Sequence, residues 1–282
     1  MISFRTMTRG DMDFAASCAA AEGWVTETRE EFEGFRAYDP NGCFVVEQAG
    51  DPIGIGVATG YGEYGFVGEL IVLSDFRGAG VGRQLLDHAV SYLKNRGARH
   101  ILLDGVNPAV SLYQRAGFRK ICRSLRFAGK PGGSPHRRVR PMVQEDLERV
   151  VRLDRAAFTA DRAFFLQRRF LLYAELSMVI EQDKTVRGYI FGRRRPGLIW
   201  AGPWYVESEV NDPEHLLQAF AHECAGSEIG LGVLESNERA VLLIRSLGLS
   251  ERLNPPWRMI LGTSDRLGHS NNLYAIGSAA KG

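Results

Sequence analysis

Residues 73–93 read LSDFRGAGVGRQLLDHAVSYL. Arg77 is followed by glycines at 78, 80 and 82, and then by Val81, Leu85, Leu86, Ala89 and Leu93, which recur on one face of a helix expected over 80–95. Upstream, FVGELIVL (66–73) reads as a buried strand. A strand thus delivers the chain to Arg77, glycines allow close backbone approach, and a helix begins among them. The unpaired amides and positive dipole end of such a helix make an anion site, and Arg77 can add a charged donor; phosphate or pyrophosphate fits best. A nucleoside-triphosphate loop needs Gly-Lys-Ser/Thr, whereas Gly82 is followed by Arg83-Gln84. The dinucleotide fingerprint needs a glycine at 85, where Leu85 stands. Helix entry by itself also accounts for the glycines.

The chain has 282 residues, enough for two domains with cores of their own. Apolar residues make up 45% and charged residues 24%, an ordinary globular composition. The net charge of +2 gives no electrostatic footprint for nucleic acid, and His136-Arg137-Arg138 is short enough for a solvated linker. Cys18, Cys43, Cys122 and Cys224 stand far apart, without a CxxC pair or a histidine at ligand spacing, so neither a metal site nor a disulfide scaffold is expected. The opening MISFRTMTRGD lacks a signal-peptide core and no apolar run reaches membrane length; a cytoplasmic protein without a membrane partner is the expectation.

Around the opening stretch, ISFRTM is a strand candidate, Thr8 and Asp11 mark a helix start, and EEFEGFRAY is helical. CFVVEQAGDPIGIGVATGYG reads as a hairpin turning at Gly50-Asp51-Pro52. HILLDGV is the next strand, Asn107-Pro108 starts a helix with Asn as cap, Gly117 ends it, and CRSLRF closes the half. Gly129, Pro131, Gly132, Gly133 and Pro135 then cluster, dividing the chain into domains at 1–128 and 139–282 with a linker at 129–138. The plan recurs beyond the seam. VRPMVQEDLERVVRLDRAAF echoes FRTMTRGDMDFAASCAAAEG, and residues 240–249 lie on 109–118 without a gap, which points to internal duplication. The other reading is two unrelated helices that each end in glycine.

Arg77-x-x-Gly80-x-Gly82 after Glu69-Leu70-Ile71-Val72, followed by residues 107–118 (NPAVSLYQRAGF), resembles the two cofactor motifs of the GCN5-related N-acetyltransferase (GNAT) family. The resemblance covers about residues 2–127 and implies an α/β (α+β) fold: two acyl-CoA N-acyltransferase-like domains, each a mixed, mainly antiparallel sheet flanked by helices. It implies acetyl-CoA as donor, with Ile71 and Val72 pairing the pantetheine arm as an added strand. The amides of Arg77, Gly78, Ala79, Gly80, Val81 and Gly82 would hold the pyrophosphate. Asn107 matches the residue that contacts the pantetheine arm, and Arg83 could touch a cofactor phosphate, although helix capping and surface solvation explain these two equally well.

Acyl transfer to an amine needs a base, a donor for the carbonyl oxygen and an acid for the leaving thiolate. By the same resemblance Tyr113 is the acid and Glu69 the base, with the amide near Ile71 or Val72 stabilising the oxyanion. Strand alternation puts Ile71, not Leu70, on the cleft side with Glu69. The acceptor side would be built from Trp24, Phe32, Tyr61 and Tyr64; core packing explains these aromatics too. The acceptor's identity is open, with a small-molecule amine as the expectation.

Phe158-Thr159-Ala160-Asp161-Arg162, Gly188-Tyr189, Gly202-Pro203, Arg258-Met259-x-x-Gly262 and Leu273-Tyr274-Ala275-Ile276 make the second half resemble the C-terminal domain of tandem family members. It departs at the site. No RxxGxG follows Gly202-Pro203-Trp204-Tyr205-Val206, glutamates 207 and 209 would oppose a pyrophosphate, and Ile244 stands at the place of Tyr113. A degenerate domain is expected. A non-catalytic acyl-CoA sensor is the alternative to an enzyme, and a monomer with an internal pseudo-dimer the alternative to a homodimer.

Overall fold

A computed structural model describes every residue except Val25 and Asp265. The chain divides into two compact units: residues 1–120 with 259–263 and Lys281, and residues 121–258 with 264–280 and Gly282.

In the first unit the order is β1 (Ile2–Thr6), α1 (Met12–Ala21), α2 (Arg29–Tyr38), β2 (Cys43–Gln48), β3 (Asp51–Tyr61), β4 (Tyr64–Val72), α3 (Val81–Asn95), β5 (His100–Gly105) and α4 (Val110–Arg115). The sheet runs β1-β2-β3-β4-β5. Its pairs are antiparallel up to β4, while β4 and β5 are parallel. The β2–β3 turn is the two residues Ala49 and Gly50, both at positive φ, so it closes one residue earlier than expected and Asp51-Pro52 join β3. Phe44, Val45, Ile55, Phe66, Leu85, Leu86, Leu93 and Leu102 form the interior, which places the predicted apolar face of α3 on the sheet.

The chain continues through β6 (Arg119–Gly129), β7 (Val139–Pro141), α5 (Leu147–Phe158), α6 (Ala163–Leu172), β8 (Ser177–Gln182), β9 (Thr185–Arg195), β10 (Leu198–Val206), α7 (Glu214–Glu223), β11 (Ile229–Leu234), α8 (Glu238–Ser246), β12 (Ser250–Glu251), β13 (Trp257–Leu261) and β14 (Leu273–Ala275). The second unit's sheet runs β6-β11-β10-β9-β8-β7, with β10 and β11 parallel. From Ile121 onward β6 belongs to this unit, registered on β11 from Ser124↔Leu234 to Gly129↔Ile229. In the opposite sense Met259–Leu261 of β13 complete the first unit beside β5. Chain order and compact units therefore differ at one strand each.

Several features repeat between the units. Arg5 pairs with Asp11 at 2.8 Å and Glu47 at 2.6 Å; Arg140 pairs with Asp146 at 2.7 Å and Glu181 at 2.6 Å. Asp11 also accepts from the Thr8 amide, as Asp146 does from that of Val143, so each aspartate closes the turn that leads into its helix. The β8–β9 turn, Asp183-Lys184, has positive φ at both residues, like Ala49-Gly50.

Candidate active site

The pairing of β4 with β3 is irregular at one point. Gly54↔Val72 and Ile55↔Ile71 are followed by Val57↔Gly68, so Glu69 and Leu70 together face Gly56 in a β-bulge. Glu69 sits there at φ +50° and is only 5% exposed. The bulge breaks the strict alternation assumed from the sequence: Glu69, Ile71 and Val72 are all buried, and Leu70 is the half-exposed residue. On the other edge, the described parallel ladder runs from Tyr64↔His100 to Phe66↔Leu102, and Val67–Val72 extend beyond it. Among the described residues no strand pairs with this edge beyond Phe66, and the edge runs past a buried carboxylate.

The glycine loop follows directly. Gly78 and Gly80 both have φ +82°, a region that costs a side chain energy, and Gly80 caps α3. A Cβ at Gly80 would meet nothing within 4 Å, so backbone conformation, not crowding, demands glycine there. Among the described residues, no backbone carbonyl accepts from the amides of Gly80, Val81 or Gly82, while Arg83 and Gln84 both turn back to the Gly80 carbonyl. Arg77 braces the loop from within: its Nε donates to the Val72 carbonyl at 2.7 Å and its Nη2 pairs with Glu22. That link ties Glu22, at the end of α1, to the loop, and Trp24 two residues on is half-buried. Arg83 is likewise engaged, with Asp87 at 2.8 Å and the Arg115 carbonyl at 3.1 Å.

α4 completes the cluster. The position of a Cβ on Gly82 lies 3.7 Å from Leu112 and 3.9 Å from Val72, joining the starts of α3 and α4 to the end of β4. Tyr113, 6% exposed, lays its ring on Gly105, where a Cβ would stand 2.9 Å away, and meets Phe118 edge-on at 6.2 Å. Burial pushes the Tyr113 phenol up to about 12, so it keeps its proton at neutral pH and can donate it. Asn107 opens the helical turn before α4, which closes on the Val106 carbonyl at 2.9 Å, one residue earlier than expected.

The aromatics expected at the acceptor side do not gather there. Phe32 is fully buried against Phe35, with centroids 6.2 Å apart. Tyr64 lies 5.3 Å from the His100 ring and opens β4, five residues or about 16 Å from Glu69 along the strand. Tyr61 donates to the Lys281 carbonyl at 2.9 Å. Near it Lys281 Nζ pairs with Glu31 at 2.8 Å and stands 4.2 Å from the Phe35 centroid, a buried ion pair across 250 residues that no local pattern announces. A cavity of about 310 Å³ lined by Tyr38, Asp39, Gly60, Gly62, Leu93, Arg96 and Ala98 holds none of the expected site residues. Burial raises the thiols of Cys18 and Cys43 to about 11 and about 12, which keeps them from acting as nucleophiles. Among the described residues, no group of three or more His, Cys, Asp or Glu is placed to hold a metal ion, and no helix is long and apolar enough to cross a membrane.

Two family models match: the Acetyltransferase (GNAT) family over residues 11–118 and the Acetyltransferase (GNAT) domain over residues 150–275. The chain belongs to the GNAT family. Its GNAT fold recurs in a Pyrococcus horikoshii protein solved as a candidate acetyltransferase, at TM-score 0.80 and 22% identity, covering 100% of this chain and 96% of that one. A tandem GNAT protein from the clavulanic acid biosynthesis pathway matches at TM-score 0.66 and 15% identity over 94% of this chain and all of that one. Among curated relatives, mycothiol acetyltransferase of Arthrobacter sp. (strain FB24) is 32% identical over 106 residues, 34% of this chain and 33% of its own. The chain spans between 33% and 44% of the length of the curated relatives it matches.

Proposed function

We propose that this GNAT protein is an N-acetyltransferase that moves the acetyl group of acetyl-CoA to a primary amine of a small-molecule acceptor, with its chemistry in the first half of the chain (residues 1–128) and the second half (139–282, after the 129–138 linker) a degenerate copy. One observation carries the reading: the edge of β4 beyond its described ladder with β5 runs straight into a left-handed glycine loop whose helix-start amides no described backbone carbonyl takes up.

The residues fit acetyl-CoA part by part. The edge of β4 at Ile71 and Val72 suits an extended arm added as a strand through the Val72 amide, the Val72 carbonyl being held by Arg77. The amides from Gly78 to Gly82 suit the pyrophosphate. The ion pair of Arg77 with Glu22 holds that loop in shape, so its role here is positioning; Arg83, turned toward Asp87, and Asn107, at the first turn before α4, flank the same end.

An ammonium has no lone pair, so the acceptor must first lose a proton, which Glu69 receives directly or through water. The amide near Ile71 or Val72 donates to the carbonyl oxygen as negative charge grows there. Tyr113 donates its proton to the departing sulfur. The bulge sets Glu69 at positive φ, outside the regular ladder of β3 and β4.

The test is amine-dependent release of free CoA from acetyl-CoA across small amines, amino acids and N-terminal peptides, with Tyr113→Phe as control. Release that requires an amine and falls in Tyr113→Phe is the expected result. Tight acetyl-CoA binding with no release for any acceptor would favour a sensor instead.

A further inference from the structure

The second unit repeats the bulged strand and the parallel ladder but fills the opening that follows. Ala201↔Gly192 is followed by Trp204↔Ile190, so Gly202 and Pro203 together face Phe191, as Glu69 and Leu70 face Gly56. By this register Trp204 and Tyr205 stand where Ile71 and Val72 stand in the first unit. The parallel ladder of β10 and β11 likewise ends after Ala201↔Leu231.

Beyond that point β10 has a partner from its own unit. Trp204 pairs with Ala275 and Tyr205 with Leu273 in antiparallel register, and the Val206 amide donates to the Asn272 carbonyl at 3.0 Å. On the far side the Ile276 amide donates to Gly232 of β11 at 2.8 Å. Residues 273–276 thus lie between the two parallel strands where they part, and all four are buried. Tyr274 stacks on Trp204 at 4.9 Å. At Gly202 a Cβ would stand 2.2 Å from the Ile276 carbonyl oxygen, so glycine is what lets the segment come this close.

The asparagine at the start of α8 adds a further contact. Asn237 Oδ1 caps the Ala240 amide at 3.1 Å while its Nδ2 donates to the carbonyls of Asn271 and Leu273, both at 3.1 Å. It stands one place earlier in its helix than Asn107 does in α4 on the 240-on-109 alignment.

We infer that β14 is a built-in occupant of the second unit's acyl-CoA slot: a peptide strand supplies to β10, β11 and Asn237 the amide groups that the arm of acyl-CoA would supply, so the chain takes one acyl-CoA and the second unit takes none. The comparison with β4 rests on the function proposed above; the seating of β14 does not. It accounts for two losses at once. A slot closed from within exerts no demand for a glycine loop after β10 or for a tyrosine at Ile244.

Hydrogen exchange on the full chain, with and without coenzyme A as the probe, tests this together with titration calorimetry. Peptides covering 271–277 and 198–206 should exchange at least about 100-fold more slowly than unstructured chain without any ligand. Coenzyme A should slow exchange at 66–84 and leave 198–206 and 271–277 unchanged, with one site per chain. Two sites per chain, protection of 198–206 by coenzyme A, or fast exchange at 271–277 would overturn the inference. Should coenzyme A protect neither unit, the function proposed for the first would fail, while slow exchange at 271–277 would still support β14 as the occupant of the second.

Discussion

Gly105→Ala tests whether the placement of Tyr113 matters to turnover, and it does so without touching a reacting group. The added Cβ would stand 2.9 Å from two carbons of the Tyr113 ring and 3.3 Å from Leu103 Cδ1. Ordinary carbon contacts begin near 3.4 Å, so the ring must retreat by at least about 0.5 Å, and Phe118 on its edge limits where it can go. Overpacking of this kind costs about 1–3 kcal/mol of stability. Displacement of a proton donor by up to an ångström costs about 10- to 100-fold in rate. The expected outcome is therefore a fall of that size in kcat, with KM for acetyl-CoA little changed because the loop and the β4 edge are untouched. The assay is steady-state CoA release with a saturating amine, alongside thermal melts to hold the comparison below the transition. The decisive comparison is made in the Tyr113→Phe background, where the methyl group should cost almost nothing further because there is no proton left to misplace. An equal loss of kcat in both backgrounds would refute the reasoning.

Three further outcomes follow from features elsewhere in the first unit. Gly80→Ala meets no neighbour but must hold φ +82°, so it should cost about 1–2 kcal/mol and weaken acetyl-CoA binding in calorimetry, with smaller harm from Gly82→Ala, whose Cβ would find ordinary contacts. Lys281→Met takes the cation from the Glu31 carboxylate in a buried site and should lose about 3–5 kcal/mol in urea unfolding; adding Glu31→Gln should recover much of it, and no recovery would count against the pair as the cause. The Arg5 guanidinium, with the Thr8 hydroxyl and amide, holds the Asp11 carboxyl well below the usual carboxylate range. A depressed folded value contributes stability that is present above the unfolded value, about 4, and lost as pH falls through the folded one. The melting-temperature gap between wild type and Arg5→Met should thus be full at neutral pH and close on acidification; a gap that widens in acid would show the sign to be wrong.

What could be read from the chain beforehand was local. The loop at 77–82, the helix after it and the echo of FRTMTRGD in VRPMVQED all depend on residues within about a dozen places of one another, and the structure returns them, down to the matched Arg5–Asp11 and Arg140–Asp146 pairs. Glu69 was visible as a residue but not as a bulge, because the extra residue shows only in the register against β3. Periodicity marked the apolar face of α3 correctly, yet could not separate Phe32 and Tyr64 as packed residues from pocket walls, since both uses require the same side chains. Strand membership was the least legible. Nothing near CRSLRF says that it will pair with residues 229–234, and nothing near Glu31 says that its cation lies at position 281.

The exchange of one strand between the two halves has a bearing on how the molecule is made. β5 gains its neighbour from residues 259–261, so the first unit cannot close its sheet while the ribosome is still translating the second half. Until then the unit carries a bare strand edge, the kind of surface that recruits other chains. A chain that ended at the glycine- and proline-rich seam would keep that edge bare. Tandem repetition here has therefore become a single folding commitment, which the first unit cannot complete before residues 259–261 have been made.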